Sequence, residues 1–259
     1  MIHAVWNLLL AGSRDTEATT AIVLIVGAVV GIPFAIVWWD VDARAWPFVA
    51  ASSTLEVSYF ALLAAAYGRA ELSVVYPLAR GLAPVLVLVG AVAFTGAHTS
   101  AAQVCGVLLV AGGILLVRGL RRAHAQGAIF GLVIACVIAS YTVVDKHGVA
   151  HAAPLPYLEL ISVFMALGYA GWFVAARGSS ALRAATDARS IVAGAATFAA
   201  YALVLAALRL APAASVSAVR ESSVLIATIL AALVLNERVS RTRLAGAALV
   251  VGGIALLAT

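Results

Sequence analysis

The chain has 259 residues, of which 64% are hydrophobic and 10% charged, with a mean hydropathy of +1.10, whereas a soluble globular chain is usually about a quarter charged. This excludes a soluble enzyme: at about 20 apolar residues per membrane span, roughly nine or ten helices use up the length and leave no room for a separate soluble domain. The net charge of +5 is carried by fifteen arginines and Lys146, scattered between apolar runs, which is loop charge and not a nucleic-acid surface.

Apolar runs bounded by charged, Gly or Pro punctuation predict ten helices, at 1–12, 18–39, 46–67, 71–94, 99–117, 126–146, 155–176, 188–208, 212–235 and 240–258. The runs are continuous rather than alternating, which excludes a transmembrane β-barrel. The fold class is therefore an all-α integral membrane protein, a bundle of about ten transmembrane helices with a short first one. Segment 1 would cover only about 18 Å of a hydrocarbon core near 30 Å, so either the natural start lies upstream or this helix begins within the membrane. No secretory signal is visible in the opening residues.

Taken in order, segment 1 carries His3, Trp6 and Asn7, a polar-aromatic group in which Asn7 is a candidate substrate contact or simply helix-helix glue. Trp38, Trp39 and Trp46 flank the connection between segments 2 and 3, where indoles mark headgroup depth. Ser52, Glu56, Tyr59 and Leu63 form a narrow stripe at helical spacing on segment 3. Ser73, Tyr76, Arg80 and Pro84 share a face of segment 4, and Pro77 and Pro84 free backbone carbonyls there. Segment 6 carries Tyr141 and ends in Asp145, Lys146, His147 and His151, which read as a solvated boundary rather than a metal site. In segment 7, Glu159 lies only four residues past Leu155, near the membrane interface. Segment 9 presents Ser217, Glu221 and Thr228 on one side, with Arg220 beside them. Gly112-Gly113 in segment 5 and Gly252-Gly253 in segment 10 permit close backbone approach, within the chain or as the seam of a homodimer through these peripheral helices. Cys105 and Cys136 lie inside apolar runs and form no ligand cluster, so two free thiols at lipid depth are expected.

Internal symmetry is the most informative feature. Laid on 201–216, residues 59–74 bring Tyr59 onto Tyr201, Ser73 onto Ser215 and Val74 onto Val216, and farther on Gly106 meets Gly246 and Gly112-Gly113 meets Gly252-Gly253. The repeats are 1–119 and 126–259, each of five helices. An odd number means that the second half enters the membrane from the opposite side, giving an inverted-topology repeat, a recurring basis of secondary transport. The connections after segments 1, 3, 5, 7 and 9 carry eleven Arg, against Arg44, Lys146 and Arg209 on the other side. The positive-inside rule then places the odd connections in the cytoplasm, with both termini outside if all ten helices span.

Charges within apolar runs cost roughly 2.5–3.5 kcal/mol at the bilayer centre on insertion scales, so each needs a partner or a wet cavity. Arg80 and Arg220 are candidates to hold an anionic group, because guanidinium presents a rigid fork to carboxylate or phosphate. Tyr76, Tyr59, Trp6, Asn7, Tyr141 and Ser217 are candidate substrate contacts, and Glu56, Glu221 and Glu159 candidates for proton coupling. The alternative reading is internal ion pairing that locks the helices. Nucleotide-binding, nucleophile-elbow and zinc-protease signatures are missing, so no enzyme, cofactor or metal site is expected.

The stretches HAVWNLLLAGS at 3–13, AAYGRAELSVVYPLARGLAPVLV at 65–87 and APAASVSAVRESSVLIATILAALVLNERVS at 211–240 resemble the drug/metabolite transporter superfamily, EamA type. The resemblance implies ten helices in two inverted halves, a central cavity, peripheral helices 5 and 10, and export or exchange of small metabolites. The stretches at 76–81 and 220–223 are similar to a branch associated with phosphonate utilisation, which suits an arginine-lined cavity. Three departures stand out. The family's Gly-Glu-Arg turn has its counterpart in Asn236-Glu237-Arg238 but only Gly96-Ala97-His98 in the first half, segment 1 is short, and the Arg distribution places the termini outside where relatives keep them inside.

The expected function is secondary transport of a small anionic or zwitterionic metabolite across a bacterial-type inner (plasma) membrane by alternating access, proton-coupled or exchanging. Two rivals remain: an efflux pump for amphiphilic or cationic compounds, and a non-transporting scaffold or lipid-handling subunit. The expected partners are that small molecule and the lipid bilayer.

Overall fold

The computed structural model describes residues 15–70, 72–96, 98–118, 125–223 and 240–257. In chain order its helices are α1 (Thr16–Val37), α2 (Trp46–Arg69), α3 (Leu72–Thr95), α4 (Ala101–Arg118), α5 (Ala125–Gly148), α6 (Pro154–Met165), α7 (Gly171–Arg177), α8 (Ser179–Ala184), α9 (Ala188–Leu210), α10 (Ala213–Arg220) and α11 (Arg241–Leu257). A π turn over Ala166–Ala170 joins α6 to α7, so Pro154–Arg177 forms one 24-residue span. Six helices among the described residues are long and apolar enough to cross a membrane. These boundaries fall within a few residues of segments 2 to 8 and 10. Segment 1, with Trp6 and Asn7, lies outside the described residues, as do the second part of segment 9, with Thr228, and the Asn236-Glu237-Arg238 turn.

The chain divides into two compact units, residues 1–64 with 144–210 and residues 65–143 with 211–259. Residues 15–118 and residues 125–257 each contribute helices to both units.

In the first unit, α1 packs against α6 and α9. Asp15 caps α1 by accepting from the Ala18 amide at 3.1 Å, and its carboxylate and that of Glu17 take the Arg177 guanidinium at 2.7 and 3.1 Å. The entry of α1 is thereby tied to the exit of α7. Close approach of α1 and α9 depends on Gly194, where a Cβ would fall 2.7 Å from that of Val26. The buried face of α2 is the Ser52, Glu56, Tyr59, Leu63 stripe read from the sequence. Residues 38–46 are anchored to residues 151–153: the Asp42 amide donates to the His151 carbonyl at 2.9 Å and the Ala153 amide to the Asp40 carbonyl at 2.7 Å. The three tryptophans of this connection are all about half exposed, as residues at headgroup depth should be.

In the second unit, α3 packs on α4, α10 on α3, and α11 along α4. Pro77 and Pro84 lie inside α3. Gly96, at φ +63°, follows the end of α3, in the left-handed conformation that glycine adopts without a Cβ penalty. Cys105 and Cys136 are free thiols on exposed positions.

Candidate functional site

In the second unit, α3 and α10 bring together the buried charges read from the sequence. Arg80 Nη1 donates to Glu221 Oε1 at 3.1 Å, and Arg220 Nε stands 3.6 Å from the same oxygen. One turn before Arg80, Tyr76 places its ring under the guanidinium, 5.4 Å from centroid to Cζ. Glu221 follows the last residue of α10 with its amide bonded to the Ala218 carbonyl, so its carboxylate is presented where that helical stretch ends. All three charged side chains are almost fully buried.

Two guanidiniums thus converge on the one Glu221 carboxylate, the internal ion pairing that the sequence left open. Ser217 Oγ and Glu221 Oε2 are buried without a hydrogen-bond partner among the described residues. Buried polar atoms are nearly always satisfied in folded proteins, by protein, water or ligand. Tyr141 is buried on α5 in the same unit.

The remaining sequence candidates belong to the first unit. Tyr59 is buried edge-on to Phe60, with ring centroids 5.1 Å apart. Glu56 is buried on α2, and together with Ser52 it lies within electrostatic reach of the Tyr157 hydroxyl. Glu159, read as lying near the membrane interface, is enclosed by protein. It is 6% exposed, both carboxyl oxygens are buried, and neither has a hydrogen-bond partner among the described residues. The physical reason is local: Gly31 of α1 leaves the space that Oε2 occupies, and the Phe198 ring adjoins the same space.

Asp145 is a correction. The run Asp145-Lys146-His147 reads as a solvated helix end, but Asp145 is fully buried. Its Oδ1 accepts from Tyr157 Oη at 3.1 Å, and its Oδ2 accepts a short hydrogen bond from Tyr201. The usable signal was Tyr201, already singled out by the repeat. Lys146 turns aside to donate to the Leu208 carbonyl at 2.6 Å.

Hydrophobic helices of spanning length, carrying ion pairs in their buried interior, define a multi-pass membrane protein. Residues 125–259 match the model of the EamA-like transporter family, and the chain belongs to that family, whose members are small-molecule membrane transporters and generally not enzymes. A solved crystal structure shares the fold, with a TM-score of 0.74 at 19% identity over 98% of this chain and 92% of that one. No curated protein matches the sequence.

Proposed function

We infer that the protein is a secondary transporter that moves a small anionic or zwitterionic metabolite across an inner membrane, with the Arg80, Arg220 and Glu221 cluster as its anion-recognition element. The observation that carries this reading is that two buried guanidiniums converge on one carboxylate, beside the Ser217 hydroxyl, which has no hydrogen-bond partner among the described residues. A carboxylate or phosphate on the substrate can join Glu221 on the same donors, so that two anionic groups face the two guanidiniums and no buried charge is displaced from its partner. Tyr76 supports the Arg80 guanidinium in that position.

Alternating access would follow from the inverted repeat. The α4 and α11 contacts support that symmetry: Gly106 meets Gly253 and Gly113 meets Gly246, and the sequence repeat relates Gly106 to Gly246 and Gly113 to Gly253. Each position thus contacts the counterpart of the other, the pattern a twofold axis generates.

Glu159 is the coupling residue in this reading. A lone carboxylate is expensive to bury, and uptake of a proton removes that cost. The same observation favours a second reading, efflux of a lipophilic cation that would neutralise Glu159 directly.

The two readings separate by thermal stabilisation of the purified protein with amino acids, organic acids, phosphonates, phosphate esters and lipophilic cations, followed by proteoliposome transport of the hits. An anionic or zwitterionic hit that is lost in Arg80→Ala or Arg220→Ala supports the first reading. Hits confined to lipophilic cations, lost in Glu159→Gln, overturn it in favour of efflux.

A further inference from the structure

The Lys146-His147 and His151 residues that close α5 have no part in the transport reading. In the first unit they border a cavity of about 380 Å³, together with Phe48 of α2 and Arg209 of α9. Phe48 stacks on the His151 imidazole, with centroids 5.8 Å apart and planes 18° from parallel, and meets His147 edge-on at 6.2 Å. One ring therefore holds both imidazoles. The Lys146 bond to the Leu208 carbonyl draws the end of α5 against the end of α9, next to Arg209.

Four basic side chains line this cavity, and no carboxylate does among the described residues. Two acidic groups nearby are already engaged. Asp145 is held by Tyr157 and Tyr201, and Asp42, whose charge reaches His151, is bonded through both oxygens to Arg44.

Depth follows from the backbone. His151 and Ala153 are hydrogen-bonded to the connection that carries Trp38, Trp39 and Trp46, and exposed indoles settle at the headgroup level of a bilayer. Beside Arg209, Leu210 is 88% exposed, an apolar side chain turned outward at the same helix end.

We propose that this cavity is a binding site for the phosphate of an anionic phospholipid headgroup. Arginine, lysine and imidazole are phosphate-binding groups, and basic pockets at the ends of membrane helices are suited to anionic headgroups. The headgroup depth and the exposed Leu210 favour a lipid over a soluble phosphate, because an acyl chain finds apolar surface there. The site is independent of Arg80 and Arg220, and the proposal does not require the transport reading.

The test uses the full chain, delipidated in a neutral detergent, with native mass spectrometry reading bound lipid and thermal unfolding reading stabilisation. Phosphatidylglycerol, phosphatidylcholine and inorganic phosphate are titrated separately. Phosphatidylglycerol is expected to bind at least fivefold more tightly than phosphatidylcholine. His151→Gln with Arg209→Gln should abolish that preference, and Arg209→Gln alone, at an exposed position, should reduce it in part. Arg183→Gln, which removes an exposed charge outside the cavity, should leave it intact. Equal binding of the two lipids, or a preference that survives the double substitution, overturns the proposal. Stabilisation by inorganic phosphate that phosphatidylglycerol does not exceed overturns the lipid assignment.

Discussion

Arg80 and Glu221, 141 positions apart in sequence, form a buried ion pair at 3.1 Å between α3 and the end of α10. The pair is asymmetric, because Glu221 also faces Arg220 at 3.6 Å. Glu221→Ala leaves two buried guanidiniums without their shared carboxylate, and a cost of about 3–5 kcal/mol is expected for breaking a buried pair from one side. Arg80→Ala leaves Glu221 beside Arg220 and should cost less. Apparent melting temperatures of the two variants in detergent check the order: Glu221→Ala must unfold first. Equal melting temperatures would mean that Arg220 contributes nothing to the cluster.

Glu159→Gln keeps the shape of the side chain and removes its ionisation. In proteoliposomes this variant should lose accumulation driven by a pH gradient, by tenfold or more, and retain substrate counterflow, which needs no net proton movement. Glu159 has no hydrogen-bond partner among the described residues, so the substitution breaks no hydrogen bond there, and thermal stability should hold or rise. Undiminished gradient-driven accumulation would remove Glu159 from the coupling step.

The described helices were legible because each is a continuous apolar run, and the buried charges stood out against that background. The stripe on α2 and the Tyr76, Arg80 face of α3 followed from helical spacing alone. The pairing of Arg80 with Glu221 did not, since spacing within one helix carries no information about which helix lies opposite. Asp145 was misread for a different reason. The basic residues after it imitate a solvated helix end, and only the return of the chain with Tyr157 and Tyr201 encloses it. The enclosure of Glu159 was not legible either, because depth along a helix says nothing about a glycine on a neighbouring one.

Asp145 accepts from two tyrosines, one on each carboxylate oxygen, so its replacement should be worse than loss of either donor. Hydrogen bonds to a charged group contribute about 1.5–3 kcal/mol each. Tyr157→Phe and Tyr201→Phe should each destabilise by about that amount, and Asp145→Ala by more, because it leaves the buried Tyr157 hydroxyl without its acceptor. A double-mutant cycle on Tyr157 and Tyr201, read by thermal unfolding, should show coupling. Strict additivity would mean that the two hydroxyls do not share one carboxylate.

Outside the membrane-spanning segments, Asp42 has a carboxyl lowered from 3.8 to about 2, chiefly by the side-chain hydrogen bond from Arg44 and then by the residue 44 amide. A carboxyl depressed on folding stabilises the folded connection above its unfolded value, and that contribution disappears as pH falls through about 2. Titration of the carboxyl carbon in aspartate-labelled protein should place the midpoint near 2. Arg44→Gln should return it part of the way towards 3.8, since the backbone amide still donates.

The two glycine pairs of α4 and α11 make a positional prediction about how these helices are held. A Cβ at Gly113 would fall 2.6 Å from the Gly246 carbonyl oxygen, and one at Gly246 would fall 2.7 Å from that of Gly113, while Gly112 and Gly252 have nothing within 4 Å of an added Cβ. Backbone atoms cannot give way as a flexible side chain does, so Gly113→Ala and Gly246→Ala must force the helices apart, losing dispersion contacts along the seam. Each should lower the melting temperature by several degrees, and Gly112→Ala and Gly252→Ala should leave it unchanged. Cross-linking in proteoliposomes extends the test to the homodimer. A dimer seam on the open side of these helices, at Gly112 and Gly252, would be disturbed by Gly112→Leu and Gly252→Leu without any change in monomer stability. If oligomeric state instead changes with Gly113→Ala, the α4 and α11 seam is an assembly surface as well as an internal one.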